Sequence, residues 1–237
     1  MPEKNVAWGI TGAGAFLKES INAISKIMDS GVGVTAYVSR AGRSVLAMYG
    51  YLDQLTGILQ GPYPIGVVFE DEEDAGYPST GRIYRGVYNL VVVSPASMNT
   101  VSKIVNGIAD SLVSNLVMHA VKNNIPVLIM PVDLYESKSV MPLVIDRDKC
   151  SMCDKCIAAE NCPTGALRPD PRHKVRVSPA RCTKCFICRK ICPYNAIHFD
   201  VEVVVKPHPF YVGIIKRLND IEGVEIIDHP DRILEYI

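Results

Sequence analysis

The sequence predicts an α/β fold built on a parallel sheet, with a small cysteine-rich unit set into it. Two observations predict this. Short apolar runs alternate with stretches of helical period along most of the 237 residues, the pattern of βαβ units. All eight cysteines lie between Cys150 and Cys192, so one segment carries chemistry that the rest of the chain lacks.

Val6–Ile10 reads as a buried strand ending at Thr11-Gly12-Ala13-Gly14. Phe16, Leu17, Ile21, Ile24, Ile27 and Met28 then recur at helical spacing, with Gly31 as the stop. Val32–Val38 is a second strand, which completes a right-handed βαβ unit. The glycine-rich turn brings backbone N–H groups and a helix N-terminus to one place, where a phosphate or flavin ring can approach. It is not a full GxGxxG. After the second strand a NAD site would present an acid to the ribose, whereas this chain has Ser39-Arg40-Ala41-Gly42-Arg43. A hydroxyl beside two cations suits a terminal phosphate, as in FMN. The 2′-phosphate of NADP and an ordinary strand-to-helix turn are the competing readings.

Residues 50–87 show little period, and Glu70-Asp71-Glu72-Glu73-Asp74 reads as a solvated loop. Leu90–Val93 is a further strand, running into Ser94-Pro95-Ala96-Ser97-Met98-Asn99-Thr100 and a helix through Ile104, Ile108, Leu112 and Leu116. Pro126–Met130 is another strand, ending at Pro131-Val132-Asp133. Small polar residues at such strand ends are where a parallel sheet binds ligands. Val201–Val205, Phe210–Leu218 and Val224–Ile227 read as strand, amphipathic helix and strand that return to the first domain. The expected division is therefore 1–143 plus 201–237 for the sheet domain and 144–200 for the cysteine unit.

The cysteines form two runs, Cys150-x2-Cys153-x2-Cys156-x5-Cys162-Pro163 and Cys182-x2-Cys185-x2-Cys188-x3-Cys192-Pro193. The second has the spacing of a bacterial-type ferredoxin, in which the fourth cysteine of each run serves the other cluster. This predicts one [4Fe-4S] cluster on Cys150, Cys153, Cys156 and Cys192, and a second on Cys182, Cys185, Cys188 and Cys162. The x5 gap marks a small insertion. A structural zinc site would use two separated pairs, and a disulfide scaffold belongs to short secreted chains. Cys-Pro-Thr-Gly-Ala-Leu at 162–167 echoes Cys-Pro-Tyr-Asn-Ala-Ile at 192–197, as a duplicated half would.

Net charge is zero overall, yet residues 145–200 hold 11 Lys/Arg against 6 Asp/Glu. That excess either offsets the negative clusters or steers an acidic redox partner. The basic residues lack interleaved aromatics, which argues against nucleic acid. No apolar run reaches the roughly 20 residues of a membrane span, and the N-terminus lacks a signal pattern. A reducing cytoplasm is the expected compartment. His119, His173, His198, His208 and His229 are scattered and suit no metal set.

Ile10-Thr11-Gly12-Ala13-Gly14, Ser39, the Ser94–Thr100 stretch and Asn106-Gly107-Ile108-Ala109-Asp110 resemble a flavin-binding family. That family includes FMN-containing cysteine decarboxylases, flavin prenyltransferases and pterin reductases. The resemblance implies a flavodoxin/Rossmann-like flavoprotein domain with an inserted bacterial-type 2[4Fe-4S] ferredoxin domain. It places Thr11, Gly12, Ala13, Gly14, Ser39 and Arg40 at the FMN phosphate and ribityl chain. Ser94, Ala96, Ser97, Met98, Asn99 and Thr100 would stand near the isoalloxazine. The chain departs from the decarboxylases, having Met130-Pro131-Val132-Asp133 for their Pro-Ala-Met-Asn, and from the prenyltransferases, having Val132 near their Arg.

The joint presence of both modules resembles archaeal dihydromethanopterin reductases and archaeoflavoproteins. This implies an oxidoreductase in which a ferredoxin-type donor feeds the clusters, the clusters feed FMN, and FMN reduces dihydromethanopterin by hydride transfer. Asp133 and Tyr135 are the candidates for the proton donor, and the catalytic residues are otherwise unassigned. Two other readings are a pure electron-transfer protein working between ferredoxin and another iron-sulfur flavoprotein, and an NAD(P)H-linked oxidoreductase. Relatives of the flavin domain build trimers, which implies a trimer-based homo-oligomer.

Overall fold

A computed structural model of the chain describes residues 4–237. The elements run β1 (Asn5–Ile10), α1 (Leu17–Asp29), β2 (Gly33–Val38), α2 (Arg40–Tyr49), α3 (Leu52–Ile58) and β3 (Gly66–Phe69). Next come β4 (Leu90–Ala96), α4 (Met98–Val105), α5 (Leu112–Lys122), β5 (Val127–Pro131) and β6 (Ser137–Ile145). The cysteine unit adds α6 (Arg147–Cys150), α7 (Ile157–Glu160), β7 (Leu167–Asp170), β8 (Lys174–Val177) and α8 (Ile187–Ile191). The chain ends with β9 (Ile197–Val205), α9 (Pro209–Lys216), β10 (Val224–Ile226) and a 3-10 segment, Pro230–Tyr236.

Six strands form one parallel sheet in the order β10-β5-β4-β1-β2-β3. Alternate residues of β1 serve its two faces, because successive side chains of a strand point to opposite sides. Val6, Trp8 and Ile10 pack with α1, Leu46 of α2, Leu55 of α3 and Ile233. Ala7 faces the other layer, where Val101, Ile104, Val113, Leu116, Val117, Ile215 and Leu218 come from α4, α5 and the α9 region. A parallel sheet covered on both faces has little use for polar side chains within its strands. Trp8 is an exception handled locally: its indole N–H donates to Ser94 O at 2.7 Å.

Three expectations require correction. The single helix through Ile104 and Leu116 is two helices, parted at Asn106–Ser111, where Gly107 takes φ +67° and Ile108 is exposed. Val201–Val205 does not enter the parallel sheet. It is the end of β9, which pairs antiparallel with β6 from Ser137↔Val205 to Ile145↔Ile197. That ribbon carries the chain out to the cysteine unit and back, so only β10 rejoins the sheet, beside β5. Lastly, Glu70 is not solvated but buried, in a 3-10 turn directly after β3.

Candidate flavin and iron-sulfur sites

The chain winds outward in opposite directions from β1 and β4, so their C-terminal ends form the topological switch point of the sheet. This is where an open α/β sheet binds its ligand. Thr11 joins the two strand ends. Its hydroxyl donates to Pro95 O at 2.7 Å and accepts from Ser97 N at 2.8 Å. Gly12 is exposed, and a Cβ there would lie 2.6 Å from Ala41 Cβ. At Gly14 it would overlap the Tyr49 hydroxyl, and at Gly42 it would lie 2.6 Å from the backbone oxygen of Ile10. The turn and the start of α2 therefore close on each other only because Gly12 and Gly42 are glycine.

Ser39 caps α2 by accepting from Gly42 N at 3.0 Å. Arg40 extends into solvent, while its backbone N–H donates to Glu70 Oε2 at 2.8 Å. Glu70 Oε1 also accepts from Leu112 N at 3.1 Å, so one carboxylate satisfies the first turns of α2 and α5. A negative group at two helix N-termini is favourably placed. Sequence reading missed Glu70 because its partners lie 30 and 42 residues away.

Ser97 precedes α4 without capping it by side chain, and its hydroxyl stands 3.3 Å from Thr100 Oγ1. The first N–H groups of α4, at Met98 and Asn99, thus face the switch point without a side-chain cap. Asn99 is exposed, Met98 half-buried and Thr100 buried. Ala13 and Ala96 are buried beside them. Ser94 does not reach the edge: it is fully buried and its hydroxyl pairs with Ser20 Oγ at 2.8 Å. Its place is inside the sheet, so it has no atom to offer a ligand. Asp133 follows β5, where burial holds its carboxyl above the usual range. Tyr135 is 63% exposed.

The glycine cradle and the uncapped α4 terminus suit a phosphate-bearing flavin, which needs close backbone approach and unpaired N–H donors. The cysteine unit suits two clusters. One pocket is lined by Cys162, Cys182, Cys185 and Cys188, with Leu143 and Phe199. Burial pushes the Cys188 thiol up to about 11, and the neighbouring thiols of Cys182, Cys185 and Cys162 act in the same direction. The Cys150 thiol is likewise raised by burial and by Cys156, Cys153 and Cys192. The thiols are therefore grouped crosswise, three from one run and one from the other. Among the described residues no three His, Cys, Asp or Glu side chains close on a single ion-sized point. Leu167 N donates to Cys162 Sγ at 3.5 Å and Ala196 N to Cys192 Sγ at 3.4 Å, similar contacts one residue out of step in the two halves. Such N–H···S bonds stabilise thiolate charge and tune a cluster's potential.

Comparison with known proteins gives the class first. A family model described as Flavoprotein matches residues 1–143, and one described as 4Fe-4S dicluster domain matches 142–193. The chain is an iron-sulfur flavoprotein. It is 41% identical to a dihydromethanopterin reductase (acceptor) of Methanosarcina mazei, over 99% of both chains. A second protein of that name, from Methanocaldococcus jannaschii, is 39% identical over 98% of this chain and 94% of its own. The chain belongs to this family of oxidoreductases. The crystal structure of Burkholderia xenovorans DmrB in complex with FMN, described as a cubic protein cage for redox transfer, shares the fold. Its TM-score is 0.63 at 22% identity, covering 99% of this chain and 93% of that one. No helix among the described residues is long and apolar enough to cross a membrane.

Proposed function

We propose that this protein reduces dihydromethanopterin to tetrahydromethanopterin, with FMN at the switch point and two [4Fe-4S] clusters on the crossed cysteine sets. One observation carries the reading: a single chain holds both crossed thiol sets and a glycine-cradled sheet edge, at 41% identity to dihydromethanopterin reductase across its full length. Clusters move one electron at a time, and a flavin supplies two-electron hydride chemistry. A ferredoxin-type donor is the matching source of electrons, and the +5 balance of the cysteine unit favours an acidic one.

The residues divide the work. Gly12, Gly14 and Gly42 allow the backbone to approach the cofactor, and Ser39 with Arg40 offers a hydroxyl and a charge to its phosphate. Ser97, Met98, Asn99 and Thr100 present the α4 terminus to the ring. Thr11 and Ala13 hold the strand ends in place, and Ala96 keeps the floor apolar. Asp133, just after β5, is the candidate proton donor to a pterin nitrogen, and burial raises its carboxyl above the ordinary value, the direction that role requires. We assign 144–200 as an inserted unit, a reading supported by β10 entering the sheet after it. The setting is a reducing cytoplasm and the assembly is built from trimers.

Anaerobic assay of cluster-replete, flavin-bound protein with dihydromethanopterin and reduced ferredoxin tests the reading. Tetrahydromethanopterin should form. A flavin that is readily reduced without any pterin turnover would sink it, and would favour a carrier that hands electrons to another iron-sulfur flavoprotein.

A further inference from the structure

The two cysteine sets are not equivalent in position. The β6–β9 ribbon leaves the sheet domain at Ser137↔Val205 and passes Leu143↔Phe199 before its outer end at Ile145↔Ile197. Leu143 and Phe199 line the cavity of Cys182, Cys185, Cys188 and Cys162. Cys150 comes only after the outer end of the ribbon, in α6. The Pro179–Arg181 turn, just before Cys182, packs directly against α2. Between them lies a crevice of about 370 Å³, with Ala47, Met48 and Leu52 on one side and Arg181, Cys182 and Lys184 on the other. Cys182 lines both this crevice and the cluster cavity. None of Cys150, Cys153, Cys156 and Cys192 lines the crevice.

The far side of the same helix end faces the flavin edge. Tyr49 follows Met48 and lies so close to Gly14 that no Cβ would fit there. It also lines a cavity of about 150 Å³ with Gly14, Ala15 and Phe16. Two consecutive residues of α2 therefore separate a cysteine ligand from the glycine turn.

We propose that Cys182, Cys185, Cys188 and Cys162 hold the cluster proximal to the flavin, and that Met48 and Tyr49 bridge it to the Gly14 turn. The set of Cys150, Cys153, Cys156 and Cys192 is then distal, on the donor's side. This ordering rests on the cofactor assignment above. Tunnelling rates fall steeply with distance and with empty space in the path, so the direct contact of the Pro179–Arg181 turn with α2 beside the crevice, continued through Met48 and Tyr49 of that helix, sets the route. Each passage removes one electron from the proximal set, and a low-potential one-electron donor replaces it through the distal set. Two passages and one proton complete the two-electron reduction of the flavin.

The test uses the full chain, cluster-replete and flavin-bound, mixed anaerobically with reduced ferredoxin and no pterin. Tyr49→Leu should slow flavin bleaching severalfold while iron content, flavin content and the midpoint potentials stay at wild-type values. Met48→Ala, on the crevice side, gives the same readout should the first variant lose its flavin. In Cys185→Ala the paramagnetic signal of the reduced distal set should persist beside an oxidised flavin. Unchanged bleaching in both bridge variants, or rapid flavin reduction in Cys185→Ala, would overturn the ordering. Because no pterin is present, neither result bears on the choice of substrate.

Discussion

Glu70 shows how much one side chain can organise. Its carboxylate is drawn inward from the Glu70–Asp74 run, and it binds the first turn of α2 and of α5 while Tyr77 Oη donates to it at 3.3 Å. Removing it leaves the buried Leu112 N–H unpaired, a penalty of about 1–3 kcal/mol, and frees the part-buried Arg40 N–H as well. Glu70→Ala should lower the unfolding free energy by about 2 kcal/mol and weaken flavin retention, measured by urea unfolding and by filtration of the holoprotein. The residues beside it stay at the surface, where Arg43 pairs with Asp71 at 2.6 Å and Glu72 at 2.9 Å. Acidic composition identified a polar segment, and only the distant partners of Glu70 select it for burial. His119 gives a pH-dependent counterpart. Its Nδ1 is buried without a hydrogen bond and its ring packs on Tyr84 at 4.9 Å. Burial, with Lys122 adding to it, depresses its pKa below the ordinary 6.5. The folded state thus binds fewer protons than the unfolded state just below that pH, so stability falls as the solution is acidified through it. His119→Phe should flatten the loss of melting temperature between neutral and mildly acidic pH. An unchanged acid slope would show that another group titrates.

At the scale of elements, glycine positions separate local propensity from long-range packing. Gly57 lies inside α3 and a Cβ there meets nothing within 4 Å. Gly57→Ala should therefore raise stability by about 0.5–1 kcal/mol through helix propensity alone. Gly42 also lies in a helix, yet its Cβ would press on the backbone oxygen of Ile10 at 2.6 Å, and backbone cannot swing aside. Gly42→Ala should lower the melting temperature and release flavin, so that the two substitutions move stability in opposite directions. The sequence distinguishes neither case, because Gly57 falls in a stretch of little period and Gly42 in a polar turn after the second strand. What it does disclose are the elements whose period is strong: β1, α1, β2, β4 and β5 all lie where the apolar runs stand. The helix expected through Ile104 and Leu116 misled because Ile108 keeps the period, yet Gly107 in the left-handed region turns the chain before it. Val201–Val205 misled for a related reason. Its β-branched valines favour a strand, and local sequence alone does not say which neighbour a strand pairs with.

For the molecule as a whole, strand order is the fact that local pattern does not contain. The order β10-β5-β4-β1-β2-β3 makes the gap between β1 and β4 the candidate binding edge, and it brings Thr11 and Ser97 within one hydrogen bond though 86 residues separate them. The crossed grouping of thiols needs the same kind of long-range information, supplied here by motif spacing, which is why the cysteines were more legible than the flavin edge. The register pair Ser137↔Val205 has a further consequence. Its two residues are direct cross-strand neighbours, so the path that leaves the sheet domain and the path that returns start side by side. A chain that is nested in this way can be shortened without moving either end. Replacing residues 138–204 with Asn-Gly, which closes antiparallel strands as a two-residue hairpin, should yield an iron-free protein that still unfolds cooperatively and binds flavin. An aggregated product, or one without flavin, would show that the parent domain depends on its guest for more than electrons. The same junction would accept other redox units whose ends emerge as paired antiparallel strands, making the flavin module a socket and the cluster unit one of several plugs.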